Sequence, residues 1–259
     1  MAYVLAETDA GVGTITFNHD AHRNALSKLL IEEFLAALQS LSDAKVRAVV
    51  LRAHPGTAVW SAGHDLRELP KSGADPLAYS DPVERVIRAI EHFPAPVLGM
   101  IDGGVWGGAF ELAIVCDLLV GTRNASFAIT PAKIGVPYNC SGLIHFINAL
   151  GMNTVKEMFF TARPINAERA LSLGILNHLV DVADLERVTY ELARAIAANS
   201  PLSIGVVKEQ LRILGNAHPL SPETFERIQG LRQFVFDSHD YAEGTTAILE
   251  KRKPVFTGE

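Results

Sequence analysis

The chain has 259 residues, 48% hydrophobic and 20% charged, with a formal net charge of −6. That length allows one large α/β domain or one domain with a short appendage, and the acidic balance leaves no basic footprint for nucleic acid. The N-terminus lacks a basic region followed by an apolar run, and no uncharged apolar stretch reaches the roughly 18 residues of a membrane span. No signal peptide and no membrane partner are therefore expected. The two cysteines, Cys116 and Cys140, sit in apolar surroundings without the partner spacing of a metal site. They exclude a disulfide framework and suit a reducing, cytoplasmic location. His19 and His22 have no third ligand nearby, so neither a metal nor a bound cofactor is expected.

Val12–Phe17 alternates apolar and polar residues, as a half-buried strand does. A polar connection, Asn18–Asn24, leads to a helix that places Leu26, Leu30, Phe34, Leu38 and Leu41 on one face, with Asn24 as its N-cap. Val46–Arg52 is a continuous apolar strand of the kind buried in a parallel sheet. A turn-rich loop, His54–Gly63, enters a corner, SAGHDL at Ser61–Leu66, from which a helix is expected to start at Asp65 or Leu66. Glu84–Phe93 is the next amphipathic helix and Pro96–Ile101 the next buried strand.

Met100–Asp117, MIDGGVWGGAFELAIVCD, breaks at two Gly-Gly pairs and continues as a small-residue helix from Ala109 to Val115. A glycine pair at a helix start leaves backbone N–H groups unpaired and open to close approach, at the positive end of the helix dipole. Such a corner suits a negatively charged oxygen, and tight strand–helix packing is the alternative reading. Leu118–Gly121 and Phe127–Ile129 are further short strands, and the strand–helix alternation to this point argues for βαβ units. Beyond Gly142 the pattern is mainly helical: Leu143–Leu150, Thr154–Thr161, Ala167–Leu173, Asp184–Asn199, Leu202–Leu214, Pro222–Ser238 and Tyr241–Pro254, with a short strand at Leu176–Val180. The last helix carries the basic cluster Lys251–Lys253. In a parallel sheet the loops after successive strands gather at one end, so the N–H groups of His64 and Gly108 are candidates to converge as an oxyanion hole.

SAGHDL, the Gly103–Asp117 stretch and EKRKPVF at Glu250–Phe256, in this order, resemble the crotonase (enoyl-CoA hydratase/isomerase) superfamily over essentially the whole chain. The resemblance implies an α/β fold: a ββα spiral core, residues 1–195, and a helical C-terminal region, 196–259, that mediates trimerisation, often as a dimer of trimers. It implies acyl-CoA substrates whose thioester oxygen is held by the N–H groups of His64 and Gly108. Ala62, Gly63, Asp65 and Leu66 then belong to the path of the coenzyme, and Arg23, Leu26 and Lys251 match positions that contact its nucleotide end.

Hydratases of this superfamily use two glutamates to activate water. The first matches Glu111; the second falls on Pro131, and no acid occurs in Thr130–Asn139. That segment offers Tyr138 and Asn139, donors without negative charge at neutral pH, while Thr130 lies within reach of the acyl group. Loss of CO2 from a malonyl-type thioester needs no base; it needs the enolate oxygen stabilised and the carboxylate held out of the carbonyl plane. HDLREL, VWGGAFE and GVPYN resemble the branch of the superfamily that decarboxylates methylmalonyl-CoA to propionyl-CoA. The expected roles are therefore His64 and Gly108 on the enolate, Tyr138 on the carboxylate and a retained Glu111, with Trp106 as a wall of the acyl pocket. An enoyl-CoA hydratase or isomerase using Glu111, and a non-catalytic acyl-CoA-binding trimer, are the alternatives.

Overall fold

The alternating segment near the N-terminus does form a strand, but neither of its faces meets solvent. In the structure, a computed structural model describing residues 2–70 and 74–259, β1 (Val4–Asp9) pairs antiparallel with β2 (Val12–Phe17), whose residues are nearly all buried. Thr14, on the face read as polar, is covered and shares a 2.7 Å hydrogen bond with the Tyr190 hydroxyl. The first helix, α1 (Lys28–Asp43), buries Leu30, Phe34, Leu38 and Leu41 as the spacing predicts. Its N-cap is Ser27, whose hydroxyl accepts from the N–H of Leu30; Asn24, expected in that role, is fully buried elsewhere.

The chain then repeats one unit. β3 (Ala48–Ala53) is followed by β4 (Val59–Ser61) and α2 (Pro82–Glu91); β5 (Val97–Ile101) by β6 (Gly104–Trp106) and α3 (Gly108–Ile114); β7 (Leu118–Thr122) by β8 (Ser126–Ala128), a 3-10 turn at Pro131–Ile134 and α4 (Cys140–Leu150). In each unit the first strand enters a six-stranded sheet, β1-β2-β3-β5-β7 completed by β10 (His178–Val180). The second enters a four-stranded sheet, β4-β6-β8 completed by β9 (Ile165–Asn166). This is a ββα spiral; its pairings are parallel apart from β1–β2 and β8–β9.

One face of the larger sheet packs on α1, α2 and α3 through Ile15, Phe17, Val49 and Leu51. The other face, with Val12, Val50, Leu98 and Val120, is covered by Leu185, Ala193 and Ala197 of α7 (Val182–Ala197). A two-sided cover explains why β3 and β5 read as unbroken apolar runs.

A further expectation is corrected. No helix starts at Asp65 or Leu66: the Asp65 carboxylate accepts from the N–H of Arg67 and the chain makes a single turn, with Glu68 N–H on Asp65 O at 2.9 Å. β1, β4, β6 and β9 fall outside the strands expected from the sequence.

α5 (Met152–Thr161) and α6 (Ala167–Ser172) bracket β9, and α8 (Pro201–Gly215), α9 (Pro222–Phe236) and α10 (His239–Leu249) end the chain. Lys208 anchors α8 by an ion pair to Asp117 at 2.8 Å and by bonds to the carbonyls of Ile90 and Ala95. α8 nonetheless buries no residue fully, and leaves Leu202, Leu211 and Leu214 exposed. α10 folds back over the Pro131–Ile134 turn so closely that a Cβ on Gly244 would lie 2.5 Å from the Ile134 carbonyl oxygen. Both cysteines are free, and no helix among the described residues is long and apolar enough to cross a membrane.

Candidate active site

The first corner follows β4 and is fixed from below by Asn24. This side chain donates to the carbonyls of Trp60 (3.0 Å) and Val59 (3.4 Å), and the backbone carbonyl of Asn24 accepts from the hydroxyl of Ser61 at 2.7 Å. Ala62 N–H donates to Arg23 O, and Leu26 N–H to Gly63 O. These bonds bind residues 23–26 alongside 59–63 and turn the chain at Gly63, which has φ +82°. His64 thus leaves the turn with a backbone N–H that has no acceptor among the described residues.

The second corner follows β6. Gly107, with φ +57°, donates its N–H to Ala128 O, and Gly108 opens α3. As the first residue of a helix, Gly108 has no intrahelical acceptor for its N–H, and among the described residues it has no other. The two corners touch. A Cβ on Gly63 would stand 2.9 Å from the nitrogen of Gly108 and 2.4 Å from the carbonyl oxygen of Trp106. A Cβ on Gly108 would stand 2.9 Å from Nδ1 of His64, whose Nε2 is 3.0 Å from Asp81 Oδ1. His64 therefore packs its imidazole on the second corner as well as lending its backbone to the first. Two free N–H groups on touching loops can take up charge that develops on an oxygen.

Both corners open into a cavity of about 330 Å³. Of the residues singled out in the sequence, Arg23, Ala62, His64, Leu66, Trp106, Gly108, Thr130 and Tyr138 line it, and Ile248 of α10 closes one side. Leu26 and Asp65 line a neighbouring groove that shares His64. The Asp65 carboxylate is turned onto the guanidinium of Arg67, whose hydrogen bonds hold it below the usual carboxylate range. Gly63 lies beneath, where the corners touch. Lys251 is exposed beyond the end of α10 and is not part of the wall. Lys133, from the Pro131–Ile134 turn, is part of it and was not among the residues singled out in the sequence. The lining contains no aspartate or glutamate among the described residues.

Glu111 lies behind this wall, 1% exposed. Its Oε2 accepts the Tyr138 hydroxyl at 2.5 Å and its Oε1 faces His145 Nδ1 at 2.9 Å. The other ring nitrogen of His145 is 3.3 Å from Glu91. Burial opposes charge on His145, but the hydrogen bonds and charges of Glu111 and Glu91 override it and raise the imidazole to about 10, so it is an imidazolium at neutral pH. Glu84, from α2, completes the cluster with one unpartnered buried oxygen. Burial, and after it the charge of Glu111, pushes its carboxyl up to about 8. Burial and the adjoining Glu111 also raise the Tyr138 phenol well above its ordinary value. The sequence reading missed His145, Glu84 and Glu91. The one signal was a lone histidine in the apolar run LIHFINAL and two acids a heptad apart on an otherwise apolar helix face.

The model of the enoyl-CoA hydratase/isomerase family matches residues 7–259. The chain is 48% identical to methylmalonyl-CoA decarboxylase of Escherichia coli K12 over 99% of its own length and 98% of that protein. It is 28% identical to the mitochondrial methylglutaconyl-CoA hydratase of Mus musculus over 98% and 82% of the two chains. A solved structure of methylmalonyl-CoA decarboxylase in complex with 2-nitronate-propionyl-CoA superposes with a TM-score of 0.97 at 47% identity, covering 99% of each chain. The family model spans both corners and the cavity wall between them, and the chain belongs to the enoyl-CoA hydratase/isomerase (crotonase) family.

Proposed function

We propose that the protein decarboxylates methylmalonyl-CoA to propionyl-CoA. The observation that carries this reading is a cavity with two free backbone N–H groups at His64 and Gly108, a tyrosine, a threonine and two cations, and no carboxylate among the described residues of its wall. Such a wall accepts an anionic acyl group and lacks the paired bases that water addition needs. The thioester oxygen sits on the N–H groups of His64 and Gly108. The carboxylate is held out of the carbonyl plane by Tyr138, with Thr130 beside it. As the bond to CO2 breaks, its electron pair moves into the thioester, and the two N–H groups stabilise the enolate; one such donor is worth about 3–4 kcal/mol in a transition state. Ala62, Asp65 and Leu66 border the path of the coenzyme, and Arg23, Leu26 and Lys251 meet its nucleotide end. The 48% identity to a methylmalonyl-CoA decarboxylase supports the same substrate.

Incubation of the purified protein with methylmalonyl-CoA, followed by mass, tests the reading: propionyl-CoA is expected, and unchanged substrate at high enzyme concentration overturns it. The hydratase alternative is disfavoured because Glu111 is buried behind Tyr138 rather than facing the cavity. The reading extends to a cytoplasmic homotrimer or dimer of trimers assembled through residues 196–259. Its support is the run of exposed apolar side chains Leu202, Leu211, Leu214, Leu231 and Phe234 on α8 and α9, a patch of the kind that marks interaction surfaces.

A further inference from the structure

Two N–H donors hold one oxygen well only at the right separation, and a misplacement of about 1 Å costs as much as 10²-fold in rate. The corner at His64 is tied on its upstream side to residues 23–26, through Leu26 N–H on Gly63 O and Ala62 N–H on Arg23 O. The start of α2 joins it to the other corner. Asp81, the N-cap of α2, accepts two hydrogen bonds on one carboxylate oxygen, from Val83 N–H at 2.8 Å and from Nε2 of His64 at 3.0 Å. Two residues further on, Val83 stands against Gly108. A Cβ on Gly108 would lie 3.6 Å from Val83 Cγ1 and 2.9 Å from Nδ1 of the same His64 ring. One turn of helix thus grips the residue that carries the first donor and abuts the glycine that carries the second.

The ring depends on that grip. His64 borders both the acyl cavity and the groove of about 690 Å³ beside it, and its imidazole has no other hydrogen bond among the described residues. Without Asp81 the ring has room to swing into the groove, and the wedge between the two corners goes with it. We propose that Asp81 is a positioning residue for the oxyanion hole: through the His64 ring it fixes how far the N–H groups of His64 and Gly108 stand apart. Asp81 is not part of the acyl cavity's wall, so it acts through His64 and not on the substrate. Nε2 of His64 needs only an acceptor, and an amide oxygen meets that need as a carboxylate does.

The inference rests on the proposed seat of the thioester oxygen between these two donors, and its test separates it from the decarboxylase reading. Asp81→Ser keeps the helix cap, since serine caps as well as aspartate, but its oxygen stands one bond nearer the backbone and leaves the His64 ring unheld. Asp81→Asn keeps both bonds. Each variant of the whole protein is assayed for methylmalonyl-CoA turnover and melted, and the carbonyl stretch of bound, isotope-labelled propionyl-CoA is read by Raman difference spectroscopy. Asp81→Ser is expected to melt within about 4 °C of wild type, to keep KM within about twofold and to lose about 10- to 10²-fold in kcat. Its carbonyl stretch is expected to move back towards the frequency in water, and Asp81→Asn to recover both kcat and the stretch. In a His64→Ala background, which keeps the backbone N–H and lacks the ring, Asp81→Ser is expected to cost nothing further. Full activity of Asp81→Ser, a raised KM at unchanged kcat, an equal loss in Asp81→Asn or additive losses in the double variant would each overturn the proposal. So would a wild-type carbonyl stretch equal to that in water. A wild-type protein that polarises the propionyl-CoA carbonyl yet leaves methylmalonyl-CoA intact overturns the decarboxylase reading alone, and the spectra of the variants then decide the role of Asp81.

Discussion

Replacing Gly63 by alanine adds one carbon at the point where the two corners touch. Gly63 has φ +82°, a region that costs a residue with a side chain about 1–2 kcal/mol. The new Cβ would stand 2.4 Å from Trp106 O and 2.9 Å from Gly108 N, so the corners must separate by roughly 0.5–1 Å to restore ordinary contact distances. Both obstacles are backbone atoms and neither can swing aside. A donor in an oxyanion hole acts within about 2.7–3.1 Å of the oxygen, and a shift of that size takes one N–H out of range, at about 3–4 kcal/mol or 10²–10³ in kcat. The strain also lowers Tm by about 2–4 °C per kcal/mol in a chain of this size. Turnover of methylmalonyl-CoA by mass and a melting curve on the same preparation give both numbers. A folded Gly63→Ala protein with turnover within about twofold of wild type would refute the proposed placing of the enolate oxygen between His64 and Gly108.

Tyr138→Phe leaves the ring among Phe146 and Phe159 but withdraws the hydroxyl. Decarboxylation is expected to fall about 10²-fold with the fold retained, and full activity removes Tyr138 from the mechanism. Glu84 ionises more readily unfolded than folded, since its folded pKa is raised to about 8. Its contribution to stability is present below the ordinary carboxylate range and is lost as pH rises through about 8. Glu84→Gln, which cannot ionise, should therefore melt higher than wild type above pH 8, and identical melting curves there contradict this burial account. His145 is also raised in the fold, to about 10. Its stabilisation is complete below an ordinary histidine's range and drains away as pH climbs towards 10. Thermal melts across that window should show the decline in wild type and a flatter, lower curve in His145→Gln. Leu211→Glu together with Leu214→Glu should convert an oligomer to a monomer on size exclusion; a monomeric wild type would sink the proposed assembly.

The fold was legible wherever a segment's own pattern decides its state. The runs of β3 and β5, the face of α1 and the glycine corner before α3 all lie within two residues of where they were read. β1 was missed because its side chains after Val4 are exposed; an edge strand with no buried face carries no alternation. β4 is three residues long inside turn-rich sequence, yet it holds the fully buried Trp60, whose indole N–H reaches Met100 O. Asn24 has the composition of a helix cap, and only tertiary contacts reveal that it ties two loops together. The two Gly-containing corners were identifiable as positions, and their contact depended on sheet order. Glu84, Glu91 and His145 were hard to read for a different reason: their meaning lies in one another's company across α2 and α4, around Glu111 of α3.

The helix at the end of the chain gives the cavity a further property. Ile248 is the last residue in a wall that begins at Arg23, and the Tyr241 hydroxyl pins its helix to Pro70 O. A chain interrupted before α10 keeps both N–H donors but leaves the acyl pocket open to water on that side. The cavity therefore takes its enclosed form only once α10 has packed back against the loops that follow β4 and β6, so its shape depends on contacts far apart in the sequence.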